Sequence, residues 1–147
     1  MATMLFHQGA LLPAEDTIRP LLEAGSRNSH LLLLAARIAT AKGDFSLAEK
    51  HYHTLLESGP NPQAYAGLGD LLTAQGKAEA AAEFYLKVEN LHKDHVKDGV
   101  HDHGFVAKFL ADTDRNLIEA LRMAEEHKLT KNVQEADTLA WVYYKNG

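Results

Sequence analysis

Cysteine is absent from the 147 residues of this chain. That excludes disulfides, thiolate metal sites and a cysteine nucleophile. β-Branched apolar residues are scarce, with nine Val and Ile against 22 Ala and 22 Leu, so helices rather than strands are predicted throughout. No apolar run approaches the roughly 18 residues of a membrane span. The first residues lack the basic start and apolar core of a signal peptide. Basic charge is also in short supply: the net charge of -5 argues against a nucleic-acid footprint. What the chain does hold is Ala, Leu and ten well-spaced glycines.

Gly9, Gly43 and Gly76 each follow an apolar run and lie 34 and 33 residues apart. Five residues beyond each comes a small one: Ala14, Ala48 and Ala81. Then follow Ile18, Tyr52 and Tyr85, and after them Leu21, Leu55 and Val88. Agreement at four positions in three registers marks an internal repeat. Each copy reads as a helix hairpin. Ser29 is the expected cap of a first helix to about Lys42, with Leu32, Ala35, Ala36 and Ala39 on its apolar face. Gly43-Asp44 makes the turn. A second helix runs from about Phe45 to Ser58, and Gly59-Pro60-Asn61-Pro62 breaks it. In the next hairpin Leu68, Gly69 and Leu72 point inward, and Ala36 and Gly69 face Ala48 and Ala81 across a close helix pair. The helix after Gly76 meets no breaker before Gly99, which predicts a long element over 78–97. A further pair follows, over 103–111 and from a cap at Asn116.

Leu68-Gly69, Leu72, Gly76, Ala81 and Tyr85 resemble the tetratricopeptide repeat, as do Ala36, Gly43-Asp44-Phe45, Ala48, Tyr52 and Pro60 before them. The stretch 109–125 is similar to degenerate repeats of bacterial tetratricopeptide proteins, and 137–147 resembles the first helix and turn of another copy. The resemblance implies an all-α fold, a right-handed α-solenoid of helix hairpins. The expected division is a half repeat 1–25, repeats 29–61 and 62–98, a degenerate repeat 101–128 and a half repeat 132–147. Both ends fall midway through a repeat. This predicts a fragment of a longer repeat protein, whose compartment is open, with the cytoplasm as default.

Arrays of this family generally bind peptides in a groove lined by the first helix of each hairpin. In this register the groove residues are His30, Leu33, Arg37 and Thr40, then Gln63, Ala66, Asp70 and Thr73, then Gln134, Asp137, Trp141 and Tyr144. Arg37 and Asp70 occupy adjacent layers and either pair with one another or meet a ligand. Leu33, Ala66, Arg37 and Asp70 stand where chaperone-binding members carry a Lys/Asn clamp, so chaperone-tail binding is disfavoured. Trp141 and Tyr144, at i and i+3, share a face as partner anchors or as ordinary packing. Leu139, Ala140 and Tyr143 are expected on the core side.

Four histidines, His92, His95, His101 and His103, stand beside Asp94, Asp98 and Asp102. Imidazole and carboxylate suit zinc or nickel. The spacing matches no established motif, however, and the segment reads as a solvated linker, so no metal or other cofactor is assigned. His51 and His53, two apart on a helix, cannot converge. No catalytic constellation stands out: Ser26, Ser29, Ser46 and Ser58 are caps or turn residues. Gly67-Leu68-Gly69 lies inside a helix as a packing feature, while Glu125-Glu126 and Asp112/Asp114 read as a solvated face and a turn. The expected function is therefore a non-catalytic scaffold for a protein or peptide, with end-to-end self-association as a related mode. The alternative is a regulatory or targeting module of a larger enzyme or envelope assembly, with the His segment as a metal or pH sensor.

Overall fold

A computed structural model describes residues 1–99, 102–126 and 133–147. Among them are nine α-helices and no strand: α1 (Ala2–His7), α2 (Leu11–Glu23), α3 (Ser29–Ala41), α4 (Phe45–Leu56), α5 (Pro62–Ala74), α6 (Ala78–Lys97), α7 (His103–Asp112), α8 (Leu117–Glu126) and α9 (Val133–Asn146). The fold is all-α and of the helical-repeat class. It divides into two compact units, Met1–Val88 and Glu89–Gly147, with the boundary inside α6.

In the first unit, α1 pairs with α2 and α3 with α4, and α5 packs on both α3 and α4. The hairpins close alike. Gly43 N–H donates to Thr40 and Asp44 N–H to Ala39; Gly76 N–H donates to Thr73 and Lys77 N–H to Leu72. Both glycines hold φ near +75°, at +78° and +73°. This is the left-handed helix stop that glycine accepts without a Cβ clash. The helix starts differ from expectation. Asn28, not Ser29, caps α3 by accepting from Leu31 N–H at 3.1 Å. Asp44 and Asn61 likewise cap α4 and α5. Asn28 has extended backbone, whereas Ser29 already belongs to the helix, and only the extended residue can turn its side chain back onto the N–H groups.

Burial follows the repeat register at its small positions. Ala14, Ala48, Ala81 and Ala120 are 0%, 0%, 1% and 0% exposed. The register slips at its last position: Leu55 and Val88 are buried, but Leu21 faces out and Leu22 packs inward instead. Pro20 immediately precedes it inside α2 and removes a helix hydrogen bond there. In α5 the buried leucines are Leu68 and Leu71, with Leu72 half-buried. Nor does Gly69 serve only a small partner. A Cβ on Gly69 would lie 2.2 Å from Tyr85 Cε1, and one on Gly67 2.2 Å from Tyr52 Cζ. Each glycine makes room for a tyrosine ring.

In the second unit, α7, α8 and α9 pack on one another around Val106, Phe109, Leu110, Met123 and Val142. The α7–α8 turn has no glycine. Asp114 and Asn116 take the left-handed conformation, with φ of 52° and 47°. Asn116 caps α8, accepting from Glu119 N–H at 3.3 Å. The core side of α9 departs from expectation: Thr138 and Val142 are buried, while Ala140 and Tyr143 are exposed. Tyr143 donates its hydroxyl to Glu125 instead.

Candidate functional site

The polar face of the first unit is built by α3 and α5. Successive turns of α3 carry His30, Leu33, Arg37 and Thr40, and α5 carries Gln63, Ala66, Asp70 and Thr73. His30, Arg37, Gln63, Asp70 and Thr73 are exposed. Leu33 is half-buried against the core, and Ala66 is buried, so it offers a ligand little surface.

Two tyrosines organise this face from beneath. Tyr85 Oη donates to Asp70 at 2.9 Å and lies 3.1 Å from the Thr73 hydroxyl. Tyr52 is 3% exposed. Burial raises its phenol above the usual range; a hydrogen bond with Thr40 opposes this, Asp70 adds to it and Arg37 works against it. The Tyr52 hydroxyl thus feels three of the groove residues at once. Arg37 lays its guanidinium over the Phe6 ring, 4.8 Å from the centroid, a cation–π contact. Sequence reasoning placed both tyrosines in the core and missed their hydroxyls. Tyrosine at a repeat's packing position is the signal, because its apolar ring carries a polar tip that must find a partner.

The second unit carries the other expected groove residues, on α9. Gln134 and Asp137 are exposed. Trp141 and Tyr144 share a face and stack, with centroids 5.4 Å apart and planes at 25°. Trp141 Nε1 donates to Asp112 at 2.8 Å, and Lys145 Nζ lies 5.8 Å from its ring centroid. Tyr144 is 74% exposed. Asp112 is therefore more than a turn residue: it orients the indole.

His92, His95 and His103 do not lie on a solvated linker. His92 is 6% exposed, and its Nδ1 lies 2.5 Å from Asp102 Oδ1. His95 Nδ1 meets the other oxygen of that carboxylate at 2.7 Å. His103, the first residue of α7, sets its ring edge-on to His92 at 5.2 Å. Asp102 stands at the N-cap of α7 but caps nothing, its carboxylate being given to the two histidines. His101 lies outside the described residues. His51 is half-buried and His53 is exposed beside Glu49.

A family model for the tetratricopeptide repeat matches residues 33–93. This segment is a tetratricopeptide-repeat array. Its repeats contribute α4, α5, most of α3 and most of α6, and hence both organising tyrosines. No curated protein and no solved structure matches the chain. Tetratricopeptide repeats generally mediate protein–protein interaction, and the family is typically a non-catalytic module. No helix among the described residues is long and apolar enough to cross a membrane.

Proposed function

We propose that the face of α3 and α5 is a peptide-binding surface, and that this chain is a non-catalytic scaffold for a protein partner. The observation that carries the reading is the placement of Arg37, Thr40, Asp70 and Thr73 on two neighbouring repeat helices, with Asp70 and Thr73 held by the Tyr85 hydroxyl and Arg37 laid over the Phe6 ring. Side chains fixed in this way lose little freedom on binding, so contacts to a ligand are not offset by ordering. One cation and one carboxylate on the same face favour an extended peptide carrying both charges, and disfavour a ligand of a single sign. Within the second unit, and separately from this face, the stacked Trp141 and Tyr144 are residues of the type enriched at interface centres.

Peptides selected from a random display library against the intact chain test this. Arg37→Ala and Asp70→Ala are each expected to weaken a selected peptide by about 10-fold or more, on the scale of an interface hot spot. Helicity by circular dichroism should be unchanged. Selected peptides that bind both variants as tightly as the parent would refute the reading.

A further inference from the structure

Three histidines and a carboxylate gather where α6 meets α7. A ring nitrogen of His92, one of His103 and a carboxylate oxygen of Asp102 lie within 4.8 Å of one another. His95 is held on the second oxygen of Asp102. We propose that His92, Asp102 and His103 bind a divalent transition-metal ion of the zinc class, with His95 orienting the carboxylate.

Four features of the cluster support the assignment. The donor set is imidazole and carboxylate in a chain with no thiolate, which selects a borderline ion such as Zn(II), Co(II) or Ni(II) over a soft one. The geometry is close to what is needed. Bonds of about 2.0–2.2 Å in a tetrahedron set ligand atoms about 3.3 Å apart, so an ion draws the widest pair inward by at most about 1.5 Å. The hydrogen-bond pattern around the ligands is also appropriate, because a carboxylate shared with a further histidine fixes ligand orientation, as partners outside the coordination sphere do in metal sites. Finally, Asp102 leaves the N-terminus of α7 without its side-chain cap, although Asp is among the best capping residues. Its carboxylate is committed to the histidines instead.

The chemistry has a defined proton balance. Ligand imidazoles bind as neutral rings and the carboxylate as an anion, so the ion displaces any proton the His92–Asp102 pair shares, and affinity falls as the solution is acidified. Three protein ligands leave a position for water or for a donor from a partner. The site therefore reports metal availability, or joins this chain to another, and it stands independently of the peptide-binding face.

The test is titration of the intact chain with Zn(II) by calorimetry, and with Co(II) by visible absorption. One ion per chain at micromolar affinity or tighter is expected, with the intense d–d bands of a four- or five-coordinate Co(II). Asp102→Asn and His103→Gln should each weaken binding by at least about 10-fold, and His95→Gln by about 10-fold, the scale for partners that orient ligands. His7→Gln and His53→Gln, in the other unit, should change nothing. If a variant fails to fold, ring-nitrogen NMR of the parent chain decides: Zn(II) should shift His92 and His103 and leave His7, His30 and His53 in place. Absence of binding at 100-fold excess over the micromolar range overturns the proposal. So does unchanged affinity in both Asp102→Asn and His103→Gln, or shifts confined to the exposed histidines.

Discussion

Gly67 and Gly69 sit in the interior of α5, where glycine costs about 1 kcal/mol relative to alanine. The compensation is steric, since each gives a tyrosine ring the space a Cβ would fill. Gly69→Ala is therefore expected to destabilise the fold by roughly 1–3 kcal/mol, the usual scale of overpacking. In a Tyr85→Ala background the clash is gone, and the same change should stabilise by up to about 1 kcal/mol through helix propensity. Denaturant unfolding of the four-member cycle checks the reversal of sign. His51 makes a second prediction at this scale. Burial, with a smaller push from Lys50, holds its imidazole below the ordinary value of 6.5, and Asp44 partly opposes this. A lowered folded-state value means that the unfolded chain takes up the proton first. The stability His51 contributes is then present above pH 6.5 and is lost progressively as pH falls below that value, through the lower folded-state one. Between pH 7.5 and pH 5.5, about one unit either side of it, the parent should lose more thermal stability than His51→Gln; equal losses would remove the burial argument.

At the scale of elements, the hairpin turns were legible because glycine at a helix stop is conspicuous. The α7–α8 turn was not, because Asp114 takes the same role with a side chain. It keeps the pattern of the other turns, Asp114 N–H to Ala111 and Arg115 N–H to Leu110. A non-glycine residue in this conformation is strained by roughly 1–2 kcal/mol, less for Asp than for most. Asp114→Gly should consequently be more stable than Asp114→Ala by about 1 kcal/mol. Both variants lose the exposed pair with Lys145, so that small term cancels in the comparison. Thermal melts of the two variants provide the measurement. The capping error at α3 belongs to this scale too. Asn28-Ser29 offers two adjacent capping residues, and sequence alone does not say which one remains extended.

Across the whole molecule, repeat packing makes stability local. Each hairpin is buried mainly by its neighbours in sequence, and the division into two compact units agrees with that. Amide hydrogen exchange on Gly69→Ala should show protection lost chiefly in α4, α5 and the start of α6, with α8 and α9 little changed. Equal loss throughout would mean one global unfolding unit and would contradict the local account.

The periodic part of this protein was determined by its sequence alone. The positions of Gly43, Gly76, Ala48 and Ala81 recur because every hairpin solves the same problem of a sharp turn followed by a close helix contact, and a recurring constraint leaves a recurring residue. The boundaries 78–97 for α6 and the start of α7 at 103 follow from the same logic of breakers and uninterrupted helix formers. The groove residues were legible as positions but not as a set: which hydroxyl sits under Asp70, or which ring lies under Arg37, depends on side chains 15 and 31 residues away. The face of α9 turned out one residue away from expectation, because a helix rich in apolar side chains on several sides has no unique inward stripe until a neighbour covers one. The histidines show the largest gap. Spaced irregularly, they match no motif, and only the tertiary structure brings His92, His95, Asp102 and His103 together. Which of these side chains meet is set by how the elements that carry them pack, and one-dimensional spacing carries no record of that.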